Sequence, residues 1–224
     1  MNNMFLKFIN ALSHYDINIK NNYELYRKIQ SKSLLTKKSQ KIIEDNITFN
    51  IFTPKHVKTD KMIIYIHGGG WTTGNVKTYS YLLTNLANEL KRNIIAIEYP
   101  LAPEYPFPIG FNVCYQGVKI IFNKANEFNI DTKDIIIMGD SAGANLATAI
   151  CIKARKTKEF QIKKEILIYP IVQTNFKNNH KFKSIEENGY QYFLTKKMIN
   201  DYLELYLKSP KDYQNIYVAP LYAK

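Results

Sequence analysis

A serine flanked by small residues, Gly139-Asp140-Ser141-Ala142-Gly143, follows the apolar run Asp134-Ile135-Ile136-Ile137-Met138 and opens a segment with helical spacing. The pattern G-x-S-x-G in that setting predicts a sharp strand-to-helix turn that lifts the Ser141 hydroxyl beyond the carboxyl edge of a sheet, as an acyl-transfer nucleophile requires. Gly139 and Gly143 permit the tight backbone and the close approach of helix to strand. The amide of Ala142, unpaired at the helix start and at the positive end of its dipole, is suited to hold an oxyanion. A serine at a helix start also serves as a plain N-cap, so the pattern by itself leaves both roles open.

A second constellation, His67-Gly68-Gly69-Gly70-Trp71, comes straight off another apolar run, Met62-Ile63-Ile64-Tyr65-Ile66. Three successive glycines leave backbone amides unobstructed, so two can aim at an oxygen that becomes negative in the transition state. Each such donor is worth roughly 3 kcal/mol. Glycine runs also make simple turns and phosphate cradles, but neither G-x-x-x-x-G-K-[ST] nor G-x-G-x-x-G with a later acidic partner is present. His67, at the root of the loop, is expected to hydrogen-bond the loop backbone and not to act as the base. Trp71 fits either a wall of the substrate pocket or a core aromatic.

The elements that position these residues follow from the apolar periodicity. Residues 62–67, 93–99, 134–139 and 165–170 are continuous apolar runs, as expected of strands buried on both faces of a mostly parallel sheet. Helical patterns over 79–90, 111–128 and 142–155 alternate with them, which predicts right-handed crossovers and a doubly wound α/β fold. Residues 41–53 read as strands ended by Pro54, and two helical patterns precede them, one over Met4, Phe5, Phe8, Ile9 and Leu12, the other over Tyr23 to Leu35. Residues 1–40 are therefore expected as amino-terminal cap helices on a core of 41–224. A cap or lid segment is expected around 172–208, irregular to 193 and helical over 196–207.

Composition narrows the class further. The 224 residues are 46% hydrophobic and 22% charged, which excludes a disordered or fibrous chain, and no apolar window is long enough to span a membrane. The formal charge of +12 comes from 28 Lys and only 3 Arg, scattered along the chain, in a sequence with 30 Ile and 23 Asn. Such a bias is what AT-rich codons produce, whereas a nucleic-acid surface favours Arg clustered with aromatics. No nucleic-acid partner is expected. Cys114 and Cys151 lie apart inside helical patterns, read as buried free thiols, and with no signal peptide recognisable a cytoplasmic location is expected. No metal-ligand spacing and no cofactor motif is apparent.

His67-Gly68-Gly69-Gly70-Trp71, the stretch Tyr99-Pro100-Leu101-Ala102-Pro103-Glu104 with Phe107-Pro108 after it, and GDSAGANLA at 139–147 together resemble the hormone-sensitive-lipase-like branch of the α/β-hydrolases. The similarity runs from about residue 41 and includes ENGYQYFLT at 187–195 and NIYVAPLYA at 215–223. It implies a serine carboxylesterase of small to medium acyl esters that needs no cofactor. Ser141 would be the nucleophile, the amides of Gly69, Gly70 and Ala142 the oxyanion hole, and Asp140 and Glu104 the supports of the two loops. Ala144 stands where many relatives carry glycine, a harmless exchange.

The same family places its acid and its histidine later than the A-P-L-x-A stretch, in chain order after the serine. Lys224 comes before either, so the expectation is an incomplete core without its last strands and helices. His14 and His56 precede the sheet, and His180 sits in a polar stretch; Asp201 and Asp212 read as exposed helix and turn residues. EILIYPIV would then be an exposed apolar sheet edge, open to a missing carboxyl-terminal segment or to a second copy. Three readings compete: an esterase whose base lies in a longer reading frame, a non-catalytic relative that keeps a ligand pocket, and a binder of polyanions.

Overall fold

The computed structural model describes residues 18–31, 35–176, 182–190 and 194–223. The amphipathic segment expected at the amino terminus, His14 and His180 lie outside the described residues. Helix α1 (Ile19–Gln30) leads into β1 (Gln40–Glu44) and β2 (Ile47–Phe52), an antiparallel hairpin turned at Asp45 and Asn46, both at positive φ. There follow β3 (Met62–Ile66), α2 (Val76–Leu90), β4 (Asn93–Glu98), α3 (Ile109–Asn123), β5 (Ile135–Asp140), α4 (Ala142–Thr157) and β6 (Lys164–Ile168). Two further helices, α5 (Lys183–Asn188) and α6 (Lys196–Tyr206), precede short 3-10 turns near the end of the described chain.

The sheet order is β1-β2-β4-β3-β5-β6, with β4, β3, β5 and β6 parallel and the amino-terminal hairpin antiparallel at one edge. Period-two alternation sends Ile64 and Ile66 to one face, where they pack with Phe111, Val118, Leu146 and Ile150 of α3 and α4. Ile63 and Tyr65 go to the other face, against Val76, Leu83 and Ala87 of α2. Every residue of β3 and β5 is buried, which explains runs without alternation.

Handedness then fixes where a ligand can sit. The crossover from β3 to β4 steps one way along the sheet; those from β4 to β5 and β5 to β6 step the other way, so right-handed connections put α2 on one face and α3 and α4 on the opposite one. The loops leaving β3 and β5 therefore diverge at the carboxyl ends of the strands, the place where open α/β sheets take their ligands. Those two loops are the ones that carry the glycine run and Ser141.

Helix boundaries depart from the periodicity at several ends, and α1 starts four residues before Tyr23 and ends at Gln30, short of Leu35. α2 begins at Val76, three residues early, because the Asn75 side chain caps it by accepting from the Thr78 amide at 2.9 Å. α3 stops at Asn123, after which Ala125 and Phe128 still pack on the core from turns. At the far edge β6 pairs with β5 alone among the described residues, and Ile166 is 41% exposed, as an open apolar edge requires. Among the described residues no helix is long and apolar enough to cross a membrane.

Candidate active site

Register brings the two loops level: Ile66 of β3 lies opposite Gly139 of β5, so His67 and Asp140 leave the sheet side by side. Ser141 follows at φ 50°, ψ −117°, a conformation that costs a non-glycine residue of order 1–3 kcal/mol and persists only where its surroundings enforce it. Its amide donates to Ile168 O at 2.9 Å and its carbonyl accepts from the Asn145 amide at 3.1 Å, so both neighbours fix the turn. The Ser141 side chain makes no capping hydrogen bond to α4. Of the two roles left open by the sequence, the N-cap is thus unused.

Close approach explains the glycines at the turn. A Cβ on Gly143 would fall on the carbonyl oxygens of Ile66 and His67, and one on Gly139 on the Gly143 backbone. Helix α4 therefore packs directly against the ends of β3 and β5, with Ala142, Ala144 and Ala147 fully buried.

Asp140 joins the turn to the glycine loop. Its Oδ1 accepts from the Gly68 amide at 2.9 Å and the Tyr65 hydroxyl at 2.8 Å, and its Oδ2 from the Tyr79 hydroxyl at 2.9 Å. Burial, followed by the charge of Asp140, pushes both tyrosines well above the usual phenol range, so they remain donors. Gly68 lies so near this carboxylate that a Cβ there would overlap it.

The loop itself turns through Gly69 at φ 120°, Gly70 at φ 58° and Trp71 at φ 59°, with the amides of Thr72 and Thr73 donating to Gly69 O at 3.1 and 2.9 Å. The amides of Gly69 and Gly70 take no part in these bonds. Nor does the Ala142 amide, which belongs to the first helical turn, where N–H groups have no intrahelical acceptor. His67 is buried; its Nδ1 lies 2.8 Å from Gly68 O and its ring stacks on Tyr99 at 4.4 Å. Desolvation lowers its pKa, so the neutral ring donates from Nδ1 to that carbonyl. Nε2 points to Glu98 at 3.9 Å, too far for a hydrogen bond.

Helices α6 and α1 pack against the loop. The Tyr202 ring of α6 rests on Gly70, where a Cβ would strike it, and Tyr206 stacks on Trp71 with centroids 4.5 Å apart and planes 1° from parallel. Trp71 is 2% exposed. Glu104 takes a two-pronged ion pair from Arg27 of α1, which also bonds Thr72 O and Ala102 O. Asn145, in α4, donates from Nδ2 to Ile171 O at 2.7 Å and Val218 O at 2.8 Å, tying both stretches to the helix that follows Ser141.

No local spacing signal marks Arg27, Tyr65, Tyr79, Asn145 and Tyr202, whose partners lie 26 to 132 positions away. Arg27 had one clue: it is one of only 3 arginines among 31 cations.

Neither described histidine reaches Ser141. His67 is committed to its loop, and His56 follows β2, whose carboxyl end lies beside the amino end of antiparallel β4, at the opposite edge of the sheet. Asp201 accepts from the Ile19 amide and Asp212 from the Ser209 amide, so both are structural. Among the described residues no group of three His, Cys, Asp or Glu could hold a metal ion.

A family described as alpha/beta hydrolase fold matches residues 63–224. The chain is 28% identical over 182–185 residues to curated relatives that include the arylesterase of Saccharolobus solfataricus, a match covering 82% of this chain and 59% of that one. It is 35% identical to the arylacetamide deacetylase of Bos taurus over 71% of this chain and 43% of that one. One of two fungal esterases from Rhizomucor miehei superposes with a TM-score of 0.79 at 27% identity, covering 90% of this chain and 67% of the other. The chain spans about half the length of the curated relatives it matches. With this match over most of its length, and with the glycine loop and serine turn on the elements that fold requires, the chain belongs to the hormone-sensitive-lipase-like branch of the alpha/beta hydrolase fold family.

Proposed function

We propose that the protein is a serine carboxylesterase of small to medium acyl esters, with Ser141 as its nucleophile. The observation that carries this reading is the Ser141 turn: a strained φ of 50°, no capping bond from the hydroxyl, and a direct link through Asp140 to the Gly68 amide. A strained serine whose side chain does not cap its helix has the geometry of a reacting group.

Ser141 Oγ attacks the ester carbonyl carbon, and the carbonyl oxygen takes the negative charge. The amides of Gly69, Gly70 and Ala142 hold that oxyanion. Collapse expels the alcohol, which recovers the serine proton, and leaves an acyl-serine; water then attacks and releases the acid. His67 and Asp140 touch none of the reacting atoms. They keep the loop and the turn in register, as Glu104 does from the third loop.

The imidazole that relays the proton, and the carboxylate that orients it, come from outside the described residues. The open edge of β6, beside the turn, is the side of the sheet where further chain can add. That same lack of a described imidazole near Ser141 favours a second reading, a relative that binds esters without turning them over.

Turnover of p-nitrophenyl acetate and butyrate by the protein and by Ser141→Ala separates the two. Loss of turnover in Ser141→Ala supports the esterase, whereas equal rates in both proteins support the binder. Without base and acid, binding and the oxyanion hole alone leave only about 10³–10⁴-fold acceleration over water.

A further inference from the structure

We propose that Arg27, in the cap helix α1, is the positioning residue of the oxyanion loop: one guanidinium holds the backbone that follows the glycine run and the backbone of the Ala102–Glu104 loop in fixed relation. The proposal deepens the esterase reading and rests on it. Nε donates to Thr72 O at 2.9 Å and Nη2 to Ala102 O at 2.8 Å, while Nη1 and Nη2 both reach the Glu104 carboxylate at 2.9 Å. The two loops also touch directly, the Ala102 amide donating to Trp71 O at 2.9 Å. Thr72 is the residue whose own amide closes the glycine turn on Gly69 O. A shift at Thr72 therefore moves the Gly69 and Gly70 amides.

Three features argue that the arrangement serves the loop and not stability at large. Only a planar fork with several fixed donors satisfies four such acceptors at once; the point charge of a lysine does not. The chain spends one of its 3 arginines here although it has 28 lysines. Finally, the Arg27 and Glu104 side chains are 29% and 44% exposed, and such pairs contribute little to folding. Helix α1 is itself seated on α6, through the Ile19 amide on Asp201 at 3.0 Å and Lys20 on Glu204 at 3.0 Å. Because α6 lays Tyr202 on Gly70, both cap helices converge on the same turn.

The test compares wild type, Arg27→Gln and Arg27→Lys, with Lys119→Gln as a control that removes a similar surface ion pair, to Glu159, elsewhere. Amide hydrogen exchange of the peptide covering 67–75 and steady-state hydrolysis of p-nitrophenyl acetate are measured on each. For Arg27→Gln, exchange at the Thr72 and Thr73 amides rises about tenfold while the β5 peptide is unchanged, and kcat falls about tenfold at constant KM. Arg27→Lys lies between, and Lys119→Gln matches wild type. Unchanged loop exchange overturns the proposal, as does faster exchange with unaltered kcat, or a rise in KM alone. Should Ser141→Ala hydrolyse as fast as wild type, the esterase reading falls instead, and the exchange data still decide whether Arg27 holds the loop.

Discussion

Replacing the Asp140 carboxylate tests the joint between the Ser141 turn and the glycine loop. Three donors converge on it, the Gly68 amide and the Tyr65 and Tyr79 hydroxyls, all at 2.8–2.9 Å, and the side chain is buried. Asp140→Ala leaves all three donors unpaired, at roughly 1–3 kcal/mol each, so about 3–9 kcal/mol is lost. Against a total stability of about 5–15 kcal/mol, that variant folds poorly or not at all. Asp140→Asn is the informative change. Its amide oxygen still accepts from Gly68 and Tyr65, and its NH2 turns to Tyr79, whose oxygen can accept. Three charge-assisted bonds become neutral ones of about half the strength, a loss of about 2 kcal/mol. For a chain of this size that lowers Tm by about 4–8 °C. Urea unfolding followed by tryptophan fluorescence reports it directly, since the single tryptophan is Trp71 of the same loop. If both variants stay within about 0.5 kcal/mol of wild type, the range of an ordinary surface change, the Asp140 carboxylate does not hold these three donors.

Gly143→Ala is expected to destabilise by about 1–3 kcal/mol through overpacking against the Ile66 and His67 carbonyls, although alanine is the better helix former by about 1 kcal/mol; a stabilised variant in thermal unfolding would show that α4 does not press on β3. Burial lowers the His67 pKa, so the unfolded chain takes up this proton at a higher pH than the folded one. Folding stability therefore declines as pH falls below the ordinary histidine value, by at most about 1.4 kcal/mol per pH unit from this group. His67→Asn, which keeps a donor for Gly68 O, flattens the slope of stability between pH 7 and 5; identical slopes would place the imidazole in solvent.

Sequence and structure agree most closely where a residue's environment is set by its neighbours in the chain. The strands β3, β4 and β5 are continuous apolar runs because helices or strands cover them, whereas β6 is an apolar run at an open edge, and the limits of all four fall within a residue or two of the runs. Ser141 and the glycine loop were legible because each sits at the end of such a run. The supports were not. Asp140 was visible as part of the motif, but the tyrosine hydroxyls that meet it come from β3 and α2, and no periodicity marks a hydroxyl as aimed at a carboxylate 61 or 75 positions away. Trp71 was ambiguous for the same reason, its stacking partner Tyr206 being supplied by a helix far along the chain. The polar stretch over 172–193 hid the six-residue helix α5, too short to establish a period.

Covalent capture reads out the reactivity of Ser141 itself. A fluorophosphonate probe forms a stable phosphonyl ester with an activated serine, releasing fluoride, and the adduct is located by mass spectrometry of proteolytic peptides. A single stoichiometric adduct is expected on the peptide that contains Ser141, absent from Ser141→Ala and slowed in Asp140→Asn. An adduct on another residue, or none on Ser141 under conditions that label a known serine esterase, would contradict it.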